Sequence, residues 1–176
     1  MKKDFILPIL VLSLICFVVS GALAFVNNKT QPIIEQAARV RAERARREII
    51  PQADDFELLK VDGLPGRITE VYRATNDTGY IFMITTYGYA PEEIKLICGI
   101  DPDGKILRTA VLSQNETQGL GTPIFEQPHA GQYWGMDKNG IDSISVISGA
   151  TITSNAFKNG IRDAFTAFEI IRQGRQ

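Results

Sequence analysis

Hydroxyl side chains crowd one short stretch of the chain. Residues 148 to 154 read SGATITS, which brings Ser148, Thr151, Thr153 and Ser154 together around Gly149 and Ala150. None of these is a general base, a thiol or a metal ligand. A strongly amphipathic helical pattern follows at once. The first N–H groups of a helix have no intrahelical acceptor, and the helix dipole adds positive charge there, so such a start attracts an anion. Gly149 and Ala150 would leave the backbone open to a phosphate. The same residues suit an ordinary turn closed by a hydroxyl cap, and local physics leaves both readings open.

A second stretch, NETQGLG at residues 115 to 121, follows a strand-like run. Gly119 and Gly121 permit positive φ and close approach to a ligand, with Glu116, Thr117 and Leu120 beside them. Asn115 also begins a glycosylation sequon, as do Asn28 and Asn76. Three-residue patterns arise by chance, and these are set aside.

Other chemistries find little support. The two cysteines, Cys16 and Cys98, are far apart, and the chain has one histidine, His129, so no metal site is expected. A net charge of -1 offers no basic field for nucleic acid. No G-x-G-x-x-G follows a strand, which argues against direct hydride uptake from a nicotinamide.

The elements that must position these groups begin with FILPILVLSLICFVVSGALAFV, residues 5 to 26, which holds no charged side chain. About 20 apolar residues cross a bilayer core, so this is read as a membrane anchor, with a cleavable signal ending at ALA, 22–24, as the rival. Lys2 and Lys3 favour a cytoplasmic N-terminus, while Lys29, Arg39, Arg41, Arg44 and Arg46 after the segment pull the other way. Residues 32 to 49 read as a helix opened by Pro32, with Glu43 and Arg47 paired at i,i+4. Its arginines suit either lipid headgroups or a solvated face balanced by Glu35, Glu43 and Glu48.

Five short β-rich runs follow, FELLKV, RITEVYRA, GYIFMITTYG, EIKLICGI and KILRTAVLS, with GIDPDGK (99–105) as a hairpin turn between the last two. Residues 121 to 140 form a long Gly/Pro-rich loop, of the kind that often carries function. IDSISVIS (141–148) reads as a final strand. Phe157, Ile161, Ala164, Phe165, Phe168 and Ile171 mark one face of a helix over about 153 to 172. The expected architecture is α+β: an anchor over 1–27, a juxtamembrane helix over 28–50, and a sheet domain packed with helices over 51–176.

Taken together, the anchor, the ETQGLG loop and the SGAT stretch opening the last helix resemble the FMN-binding domain of the Rnf and Nqr electron-transport complexes. The resemblance covers nearly the whole chain, and its specific parts are GIDPDGKI…VLSQNETQGLG and ISGATITSNAF. The compact length is more similar to the G subunit of Rnf than to the longer Nqr counterpart. The resemblance implies FMN joined through a phosphoester to Thr151. It also implies a flavin transferase that installs the group from FAD, a domain on the extracytoplasmic side of a single-pass protein, and membrane and redox subunits as partners. Ser148, Gly149 and Ala150 would frame the phosphate, with Thr153 and Ser154 either donating to it or capping the helix. Glu116, Thr117, Gly119, Leu120 and Gly121 would form a wall for the ring. Phe125, Tyr133 and Trp134 are either further ring contacts or core. Two positions depart from the family pattern: Ser145 stands where an aspartate is usual, the nearest being Asp142, and Gln118 stands where proline often precedes GLG. A member without flavin would act as an anchored assembly module.

Overall fold

The computed structural model describes residues 2–174. Two compact units divide the chain, the first ending at Arg41 and the second beginning at Ala42. Helix α1 spans Lys2–Ile49. Its side chains from Ile6 to Arg41 are exposed, and it is long and apolar enough to cross a membrane. Within a bilayer a helix satisfies every backbone group internally, which suits this uncharged run. The helix continues through Pro32, where the sequence suggests a second helix begins. The Ala-, Glu- and Arg-rich run that follows is strongly helix-forming.

In the second unit, strands β1 (Phe56–Leu59), β2 (Ile68–Ala74), β3 (Tyr80–Tyr87), β4 (Glu93–Ile100) and β5 (Ile106–Ser113) form one antiparallel sheet. Their spatial order equals their chain order. The expected hairpin turn is present. Asp101 and Lys105 are joined by a backbone bond of 2.9 Å, the Asp101 carboxylate accepts the Lys105 N–H at 2.8 Å, and Gly104 takes φ 84°. β5 is bulged against β4 near Leu107 and again near Leu112, where register shifts occur.

β3 and β4 are buried on both faces. On one side lies helix α2 (Thr151–Gln173), which buries Phe157, Ile161, Ala164, Phe165, Phe168 and Ile171 against Phe82, Ile84, Leu96 and Cys98. Each of the phenylalanines and isoleucines contributes roughly 1.5–3 kcal/mol on burial. Gly160 lets the helix come close, since a Cβ there would lie 2.9 Å from Ile84. On the other side Ala45, Ile49 and Ile50 pack on Ile81 and Ile97, and Gly99 leaves room for Ile49.

The final strand expected over 141–148 is absent. Residues Gly140–Ser143 form a 3-10 turn, and the chain then runs as a loop to Ala150. The buried side chains there are Ile141 and Ile144, three apart, which is the spacing of a helical turn. Their alternation with serines mimicked a strand, but no neighbouring strand pairs with them. Lys158 holds this loop through a 2.5 Å bond from its ammonium to the Ile144 carbonyl. The 121–140 loop carries 3-10 turns at Thr122–Ile124 and Ala130–Tyr133 and is tied to β5 by paired bonds between Ile106 and residues 135 and 136.

Candidate functional site

Helix α2 opens without a side-chain cap. Its N-cap is Ala150, and the first backbone bond is from Ser154 N–H to the Ala150 carbonyl, 2.9 Å. Gly149, at φ 84°, turns the chain into the helix through a conformation that favours glycine. The three hydroxyls then part company. The Ser154 hydroxyl is buried and accepts the Ile147 N–H at 3.1 Å. Thr153 is also buried; it donates to Glu116 Oε2 at 2.7 Å and accepts the Tyr89 N–H at 3.4 Å. Thr151 is exposed, and its hydroxyl makes no hydrogen bond among the described residues. Two hydroxyls are therefore spent on structure, and the free one stands at the uncapped helix start.

Glu116 organises the opposite wall. It is buried, and its second carboxylate oxygen accepts the Ala90 N–H at 3.1 Å. Its side chain fits only because two neighbours are glycines. A Cβ at Gly121 would lie 2.8 Å from it, and one at Gly88 would collide with its carboxylate. This one residue thus joins the β3–β4 turn, the GLG loop and the first turn of α2. The GLG loop closes on the Thr117 carbonyl, which accepts Leu120 and Gly121 N–H groups at 3.1 and 2.8 Å, with Gly119 at φ 76°. Of the two glycines, only Gly119 uses the positive-φ freedom; Gly121 (φ -87°) serves close approach.

These walls enclose a cavity of about 610 Å³, lined by Tyr89, Glu116, Thr117, Leu120, Gly121, Gly149, Ala150, Thr151, Ile152 and Thr153. The structure thus brings the two motifs together, 30 residues apart between Gly121 and Thr151. Ser148, Gly119 and Ser154, expected at the site, do not line it. Tyr89 and Ile152 do, although sequence reasoning passed over them. The available signal was an aromatic in a tight turn and an isoleucine between two threonines. Tyr89, Ile152 and Leu120 are exposed apolar side chains on this cavity, at 74%, 57% and 48%. A slot with apolar walls and a few polar groups suits a flat organic ligand. Phe125, Tyr133 and Trp134 take no part. Tyr133 is buried 5.1 Å from the Phe157 ring, Phe125 packs edge-on to Phe157, and Trp134 rests on the same core.

Among the described residues no three His, Cys, Asp or Glu side chains cluster as metal ligands. Burial pushes the Cys98 thiol up to about 12, so it stays protonated and inert. Burial, reinforced by the nearby Lys158 ammonium, lowers His129. Asp142 is engaged by Arg162 of α2, whose guanidinium holds its carboxyl below the usual range. Ser145 is exposed.

The chain is 30% identical to the G subunit of the Na+-translocating ferredoxin:NAD+ oxidoreductase complex of Acetobacterium woodii, with 90% of each chain covered. It belongs to the family of these G subunits. It is 28% identical to the G subunit of the proton-translocating ferredoxin:NAD+ oxidoreductase complex of Clostridium ljungdahlii, covering 87% of this chain and 85% of that one. It is also 28% identical to the G subunit of the ion-translocating oxidoreductase complex of Methanosarcina acetivorans, over 93% and 94%. The FMN-binding domain model matches residues 88–166. That span runs from the end of β3 into α2 and takes in every residue lining the cavity. The α+β domain and the family expected from the two motifs are both found.

Proposed function

We propose that this chain is a membrane-anchored electron-carrying subunit of an ion-translocating ferredoxin:NAD+ oxidoreductase complex, with FMN attached by a phosphoester to Thr151. The observation that carries the reading is the unbonded hydroxyl of Thr151, at an uncapped helix start on the edge of the 610 Å³ cavity, while Thr153 and Ser154 of the same turn are engaged. The cavity and the donors fit the group. The N–H groups of the first turn of α2 face no capping side chain and would neutralise the phosphate, with Gly149 and Ala150 leaving it room. Leu120, Tyr89 and Ile152 would cover the faces of the ring, and Thr117 its polar edge. Glu116 and Thr153 hold the walls rather than the phosphate. FMN supplies one-electron chemistry when bound; the protein fixes its position and excludes water from its faces.

Attachment by a flavin transferase exchanges the Thr151 hydroxyl proton for the flavin phosphoryl group of FAD, with AMP leaving. Helix α1 would cross the membrane once, with its N-terminus in the cytoplasm and the domain outside, and its arginines near anionic lipid. The remaining partners are the membrane and redox subunits of the complex. A single span without an embedded acid between Phe5 and Val26 argues that ions pass through other subunits.

The test is a denaturing gel of native membranes viewed under ultraviolet light, with intact mass. The wild-type chain and Thr151→Ser should fluoresce and gain the mass of FMN less water, and Thr151→Val should do neither. Attachment surviving in Thr151→Val would remove that residue from its role. A second reading, an anchored assembly module without flavin, is favoured by Ser145 at the usual aspartate position, with Asp142 already paired to Arg162. A colourless wild-type subunit in an assembled complex would establish it.

A further inference from the structure

A second cleft, about 420 Å³, lies between β5 and the 122–134 loop and shares no lining residue with the first. Three hydrogen-bond donors border it without acceptors. Thr109 is 7% exposed, and its buried hydroxyl has no partner. The indole N–H of Trp134 is buried and has none either. Arg108 lies with its guanidinium 4.8 Å from the Trp134 ring centroid, and no carboxylate is within ion-pair reach among the described residues. The bulge near Leu107 explains the grouping. An extra residue in an edge strand re-aims the side chains beside it, so Arg108 turns over the indole and Thr109, paired with Cys98, borders the same cleft.

Buried donors without acceptors are costly and uncommon in native proteins. A guanidinium, an indole N–H and a hydroxyl on one cleft form a surplus of donors, which an acceptor-only group complements. A planar carboxylate matches the guanidinium fork, and charge-assisted bonds of this kind are the strong ones. Glu126 on the rim opposes a dianion such as phosphate, while Phe125 and Val111 offer carbon surface to an apolar stem. Arg108 is exposed and can swing from the indole to admit the ligand.

We propose that this cleft binds a carboxylate carried on an apolar stem, held by Arg108, Trp134 and Thr109. Its source is either a free small organic acid or an acidic side chain of a neighbouring subunit. The proposal stands apart from the flavin reading and survives its failure. Trp134 is the chain's sole tryptophan, so the full chain in detergent gives one indole N–H resonance to follow. Titration with butyrate should move it downfield and saturate, while chloride at equal ionic strength should leave it in place. Arg108→Gln should weaken the apparent affinity at least tenfold, and Thr109→Val several-fold. A capped Ala-Glu-Ala tripeptide binding more tightly than butyrate assigns the site to a partner's side chain; weaker binding assigns it to a free acid. A linear response, an equal response to chloride, or unchanged affinity in Arg108→Gln would overturn the proposal.

Discussion

Replacing Glu116 by alanine removes the acceptor of two donors at once. The Thr153 hydroxyl, 2.7 Å away and almost wholly buried, loses the one acceptor its proton has among the described residues. Stranding a buried donor costs about 1–3 kcal/mol, with the upper half of that range appropriate for a carboxylate partner, so roughly 2 kcal/mol is expected here. The Ala90 N–H, 3.1 Å from the other oxygen, lies in a half-buried turn where water can partly replace the carboxylate, so about 1 kcal/mol is added. The total, about 3 kcal/mol, corresponds to a fall of roughly 10 °C in the unfolding midpoint for a domain of this size. Glu116→Gln can turn its amide oxygen to the Thr153 hydroxyl and gives up only the acceptor for Ala90 N–H, so it should lose only about 1 kcal/mol. The assay is equilibrium unfolding of the full chain in detergent, followed by near-ultraviolet circular dichroism. Glu116→Ala within about 0.5 kcal/mol of wild type would refute the view that this carboxylate ties the three segments together, and so would Gln proving as costly as Ala.

Gly149→Ala forces a side chain into φ 84° and sets its Cβ 3.3 Å from Leu120; chemical denaturation should show a loss of about 1–2 kcal/mol, and flavin attachment should slow as Leu120 is pushed across the cavity. The lowered His129 makes the folded state bind fewer protons than the unfolded chain as pH falls below the ordinary histidine value. Stability should therefore be full near neutral pH and decline below about 6.5. Thermal midpoints measured from pH 7.5 to 5 should flatten in His129→Gln, and an unchanged slope would show that another group is responsible.

The sheet and α2 were legible because burial imprints its period on the sequence. A β-rich apolar run bounded by turn residues marked β3, the Asp-Pro-Asp-Gly turn marked the hairpin, and Phe157, Ile161, Phe165 and Phe168 marked the buried face of α2. Residues 141–148 misled because Ile141 and Ile144 are buried three apart while Ser143 and Ser145, on either side of Ile144, supplied a false alternation. At the site, the two motifs could be located but not the allocation of their hydroxyls. Which of Thr151, Thr153 and Ser154 is free depends on Glu116 and Ile147 approaching from elsewhere in the chain, and no local pattern records that. Tyr89 reaches the cavity for the same reason, since only the pairing of β3 with β4 places its turn beside α2.

The strand order has a consequence for timing. Each strand neighbours the one made just before it, so the sheet can close hairpin by hairpin as the chain emerges, with little loop entropy to overcome at each step. The cavity cannot close in that way. Its walls come from residues 89, 116–121 and 149–153, and the last of these arrives only with the C-terminal helix. A half-made chain therefore has a sheet but no pocket, and on the proposed reading a flavin transferase that recognises the assembled pocket would meet Thr151 only on finished molecules.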